Sequence, residues 1–188
     1  MDTITETQIA QIFIGSIIIK IGDNWSAIRK EFGDIFAMVD KDFNIDNEDD
    51  AKLALSFAVI ALELQVLENI FPDQATRIYQ KAINAINPLD DKIYMEKKII
   101  LYKTKFQKAN ELYIRNPNAY KSPLEEIAIQ ILIDCFGERV NEFYVKNPKT
   151  GVIHPMINPL LSGAIGQMLV SFVGFWKNVK ERFIIVVD

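Results

Sequence analysis

Between Lys149 and Lys177 lie 27 residues, Thr150 to Trp176, without one Asp, Glu, Lys or Arg. In a chain that is 24% charged, such a run belongs either inside a protein core or in lipid. Projected as a helix, Leu161, Ile165, Met168, Phe172, Phe175 and Val179 fall on one side, with Trp176 beside them. Gly163, Gly166, Gln167 and Gly174 fall on the other. The bulky face fills a core layer, and the flat face lets a neighbouring backbone come close. The run is long enough to cross a bilayer, and Ser162 and Gly166 have the small-xxx-small spacing of membrane helix contacts. Against a permanent span, Asn158, Pro159 and Gln167 interrupt it, and basic residues flank both ends. The sequence therefore predicts a buried helix over about Pro159–Arg182 at the centre of a soluble bundle. A helix stored in that bundle and released into a membrane is the alternative.

The rest of the chain is consistent with one all-α, mainly helical domain over residues 1–188. Glycine and proline are scarce, at 8 and 7, while 49% of residues are hydrophobic. Thr5 and Gln8 have capping-box spacing and open a first helix. Residues 12–22, IFIGSIIIKIG, suit a helix or a short strand equally, because β-branched residues favour strands. A second helix is expected from Trp25 to about Val39, with Trp25, Ile28, Phe32, Ile35 and Phe36 on one face. A strongly apolar helix follows at about Asp50–Ile70, and Pro72 fits the first turn of the next, which Asn87-Pro88 ends.

The longest helix is expected at about Asp90–Arg115. Its stripe Met95, Ile99, Tyr102, Phe106, Ala109, Tyr113 repeats at spacings of 4 and 3, a seam for another helix. Ser122 with Pro123 and Glu125 starts a helix to Phe136, and Gly137 bends it toward a second segment reaching Tyr144. Six to eight helices result, with a short strand at one or both termini.

Charge is unevenly distributed. Residues 1–91 carry a net charge of −9 and residues 92–188 a net of +5. Such a dipolar surface orients a protein partner or a second copy of the chain. The densest acidic run, Asp40, Asp42, Asp46, Glu48, Asp49 and Asp50, is the candidate partner-binding surface. Its first members have the spacing of a calcium loop, but Ile45 replaces the turn glycine and Ala51 the closing carboxylate. No metal is expected there. Seven basic residues between 92 and 115 offer a phosphate-binding face, yet no recognition motif accompanies them and nucleic acid is not the expected partner.

Catalytic signals are weak. No dinucleotide, P-loop, nucleophile-elbow or zincin motif occurs, and one histidine, His154, cannot build a His-rich metal site. Cys135 lies on an apolar helix and reads as a buried, inert thiol. Glu63, among Leu62, Leu64, Val66 and Leu67, is a candidate buried carboxylate. With tyrosines such as Tyr79, Tyr102 and Tyr144 it defines a second alternative, a small-molecule binder or enzyme. The opening residues MDTITETQ are acidic where a signal peptide is basic, and one cysteine forms no internal disulfide, so a cytoplasmic setting is expected. The leading expectation is a non-catalytic helical interaction protein, without cofactor, of an inhibitor, immunity-type or regulatory kind.

Overall fold

The computed structural model describes residues 1–37, 48–86, 92–118, 122–136, 144–146, 153–155 and 159–188. Its elements run β1 (Asp2–Thr5), α1 (Glu6–Asp23), α2 (Trp25–Ala37), α3 (Glu48–Ile70), α4 (Ala75–Ala85), α5 (Lys92–Arg115) and α6 (Pro123–Phe136). There follow β2 (Tyr144–Lys146), β3 (Ile153–Pro155), α7 (Pro159–Val170), α8 (Phe175–Arg182) and β4 (Phe183–Val186). The protein is an all-α bundle with a short strand at each terminus, as its periodicity indicates.

Local signals set several boundaries. The Thr5 hydroxyl accepts from the Gln8 N–H at 3.2 Å, and the Gln8 side chain accepts from the Thr5 N–H at 3.1 Å. This capping box starts α1. The β-branched run within 12–22 is helical because Phe13, Ile14, Ile17 and Ile21 recur at helical spacing and all are buried. Packing overrides the strand preference of isoleucine. Ser122 and Glu125 form the second box, at 2.7 and 3.2 Å, and start α6. On α5 the predicted seam is buried at Met95, Ile99, Tyr102 and Ala109 and half-buried at Phe106 and Tyr113. On α2, Trp25, Ile28 and Phe32 are buried, while the side chains of Ile35 and Phe36 lie outside the described residues.

Two boundaries differ from expectation. Pro72 sits in the turn before α4, which begins only at Ala75. Of the segment expected from Gly137 to Tyr144, residues 137–143 lie outside the described residues, and Tyr144 belongs to β2, which pairs antiparallel with β3 through Tyr144↔Pro155 and Lys146↔Ile153.

The centre of the bundle is α3, not the C-terminal segment. Every residue from Ala54 to Leu64 is buried, so this helix is covered all round. Ala51, Ala54, Ala58 and Ala61 form a small-residue stripe that lets a neighbour pack closely. Among the described residues α3 is also the one helix long and apolar enough to cross a membrane. The predicted 159–182 helix is instead two. Ser171, Phe172 and Val173 close α7 with N–H bonds three residues back, and Gly174 takes φ +139°, which favours glycine. Its flat face is used at Gly166, where an added Cβ would stand 3.3 Å from the Leu124 Cβ of α6.

The termini meet. β1 pairs in parallel with β4, in the register Asp2↔Phe183 to Thr5↔Val186. Beside this pair, buried Glu6 receives Arg77 at 2.8 Å and Lys81 at 3.5 Å, and Lys81 also bonds Asp188. The Lys81 hydrogen bond, then that of Thr7, lowers the Asp188 carboxyl from 3.8 to about 2. A lowered carboxyl stabilises the fold fully above its unfolded value and loses that contribution as pH falls through the folded one. Asp188→Asn should therefore melt below the parent protein at about pH 6, the two converging as pH falls from about 4 to about 2 in thermal melts.

Candidate functional site

An apolar groove of about 510 Å³ opens where α1, α3 and the start of α5 diverge. Buried side chains make its floor: Ile21 from α1, Phe57 and Ile60 from α3, Ile86 beyond α4, and Met95 from α5. Half-exposed Ile18, Leu53 and Tyr94 stand at the rim. Gly22 also lines it, and nothing lies within 4 Å of where its Cβ would be, so the missing side chain helps keep the groove open. Large apolar side chains left in water around a concavity are unfavourable unless something covers them.

Polar residues gather on the α3 side of the mouth. Asp49 and Lys52 line the groove and pair at 3.4 Å. Asp50 lines an adjoining pocket of about 100 Å³ with Asp134, and this pocket shares Leu53, Phe57 and Tyr94 with the groove. Asp134 is held from three directions. Lys98 donates at 2.7 Å, the Gln130 amide at 2.8 Å and the Tyr102 hydroxyl at 3.0 Å. Burial, reinforced by the Asp134 charge, pushes the Tyr102 phenol well above its ordinary range. The ammonium of Lys98 also lies 5.5 Å from the centre of the Tyr94 ring.

The acidic run named from the sequence divides. Asp40, Asp42 and Asp46 lie outside the described residues. Glu48 turns away from the groove, accepting from the Trp25 indole at 2.9 Å and pairing with Arg29 at 2.6 Å, which joins α2 to α3. Asp49 and Asp50 are exposed and stand at the groove and its side pocket. Sequence reasoning missed the Asp134–Lys98–Tyr102 cluster. Tyr102 was visible as a seam residue, and Gln130 with Asp134 has the i,i+4 spacing of neighbours on one helix face.

Other candidates have structural roles. Glu63 is fully buried, and its Oε1 accepts from the N–H groups of Gly174 and Phe175, the latter at 2.8 Å, capping the start of α8. On α5, Lys103 pairs with Glu68 at 2.5 Å, so part of the basic face serves internal bridges. Burial, then the Asp134 charge, pushes the Cys135 thiol up to about 12. At about pH 8 iodoacetamide should modify the native chain at least about a hundredfold more slowly than the urea-unfolded chain, followed by mass spectrometry.

No three His, Cys, Asp or Glu side chains converge as metal ligands among the described residues. The chain matches no family model, no curated protein and no solved structure.

Proposed function

We propose that the chain is a non-catalytic interaction module of the cytoplasm whose groove between α1, α3 and α5 receives apolar side chains of a protein partner. The groove itself carries this reading. Its volume of about 510 Å³ is that of a binding cleft, its floor is apolar, and its rim holds half-exposed Ile18, Leu53 and Tyr94. The polar groups around it favour binding over turnover. Asp134 already accepts three hydrogen bonds, Lys98 and Tyr102 are committed to it, and Asp49 pairs with Lys52. Of the acidic run, Asp49 and Asp50 belong to the rim of the site and its side pocket rather than to its floor.

Site-specific photo-cross-linking in cells tests this. A photoreactive residue at Leu53 is expected to trap one protein partner, and the same residue at Ile114, 69% exposed farther along α5, is not. The adduct should disappear when Ile18→Glu is added at the opposite rim. Equal labelling from both positions, or no adduct together with turnover of a small substrate, contradicts the reading.

A further inference from the structure

We infer that the outer face of α5 docks on an anionic membrane surface, at a site separate from the groove. The apolar seam of this helix is taken up by the bundle, where α5 packs against α3 and α6. The opposite face is open. Ile93, Ile100 and Ile114 are exposed there, seven and fourteen residues apart, so they run along one side of it. Lys97, Lys108 and Arg115 are exposed as well, eleven and seven residues apart, and run along the other side. None of these three cations has an ion-pair partner among the described residues, whereas Lys98 and Lys103 of the same helix pair with Asp134 and Glu68. Glu111 is the one exposed carboxylate among the described residues of α5.

Charge and apolarity together select the partner. The 24 residues of α5 span about 36 Å, so its outer face meets a flat surface along a line. Three unpaired cations against one carboxylate favour an anionic surface. Nucleic-acid sites set stacking aromatics or base-reading polar groups beside their cations, and isoleucines gain little from a hydrated phosphate backbone. The one exposed aromatic of α5, Tyr94, stands at the groove rim beside Lys98. At a lipid headgroup layer, aliphatic side chains reach the acyl boundary while the flexible stems of lysine and arginine carry their charges to the phosphates. A leaflet rich in anionic lipid, as on the cytoplasmic side of a membrane, offers both.

Sedimentation of the full chain with lipid vesicles tests this. Phosphatidylcholine vesicles with about 30% phosphatidylserine are expected to bind it at least about tenfold more tightly than phosphatidylcholine alone, and about 0.5 M salt should release it. Lys97→Gln, Lys108→Gln and Arg115→Gln combined should weaken binding at least about tenfold. Ile100→Ser with Ile114→Ser should weaken it several-fold at unchanged charge. These five positions are exposed, so the substitutions leave the core intact. Lys177→Gln with Lys180→Gln on α8, and Ile18→Glu at the groove, should leave vesicle binding unchanged. Equal sedimentation with and without phosphatidylserine, or no sedimentation with either, overturns the inference. Binding that survives the α5 substitutions, or that the α8 pair abolishes as fully, overturns it as adsorption elsewhere. A duplex oligonucleotide that binds more tightly than the vesicles and ignores the isoleucine substitutions overturns it in favour of nucleic acid.

Discussion

Trp176→Ala is expected to destabilise the protein by about 4 kcal/mol, the cost of emptying a large, fully buried aromatic site. Trp176 is 0% exposed and joins three parts of the chain. Its ring lies 4.9 Å from Phe13 of α1, 4.9 Å from Phe175 of α8 and 6.3 Å from Phe71 in the turn before α4. Such tilted and edge-on pairs add to simple burial. Trp176→Phe separates packing from polarity. The indole N–H is buried and has no acceptor among the described residues, so its removal relieves a cost while a smaller ring keeps much of the contact. The phenylalanine variant should therefore lose only about 1–2 kcal/mol. Urea denaturation read at constant slope measures both, and equal losses would show that the N–H is satisfied in solution.

The second large effect belongs to Glu63. Truncation in Glu63→Ala removes the acceptor for the N–H groups of Gly174 and Phe175 at the start of α8 and leaves a hole in the centre of α3. A loss of about 3–4 kcal/mol follows from an abandoned charge-assisted cap plus a cavity. Glu63→Gln keeps an oxygen for the same donors. It also removes a buried charge whose Oε2 has no partner among the described residues, so its expected loss is below about 1.5 kcal/mol. Hydrogen exchange should localise the effect, with the alanine variant losing protection over α8 and β4 before the rest of the bundle. Uniform loss throughout would mean that Glu63 acts on packing alone and not as the cap of α8.

These two residues show where the sequence was and was not legible. Capping boxes at Thr5 and Ser122 and the seam on α5 are local patterns, and each was realised where its spacing placed it. The C-terminal break was not local. It depends on Glu63, more than a hundred residues earlier, accepting from Gly174, and on a glycine conformation that spacing does not reveal. The uncharged run therefore signalled burial at Ser162, Ile165, Met168, Leu169 and Trp176, but Gln167 and Val170 are exposed, and the burial of residues 150–161 lies outside what is described. Its continuity as one helix was wrong. In the same way, the β1–β4 pair joins the two ends of the chain, and no pattern within either strand names its partner.

The candidate site followed the same rule. Its acidic edge was readable as a charge run, though Glu48 turned out to hold α2 against α3. Its floor was not readable, because Ile21, Phe57, Ile60, Ile86 and Met95 resemble any other core positions until three helices diverge around them. The glycine at 22, innocuous at a helix end, helps leave the space open.

Isoleucine methyl spectra report directly on whether the groove is occupied, since four isoleucines line it and others mark distant surface. Titration with an amphipathic helical peptide carrying a leucine stripe is expected to shift the methyl resonances of Ile18, Ile21, Ile60 and Ile86, which line the groove. Those of Ile114 and Ile184, exposed elsewhere, should stay in place. Shifts confined to Ile114, Ile184 or other distant methyls, with the four groove residues unmoved, would contradict the account.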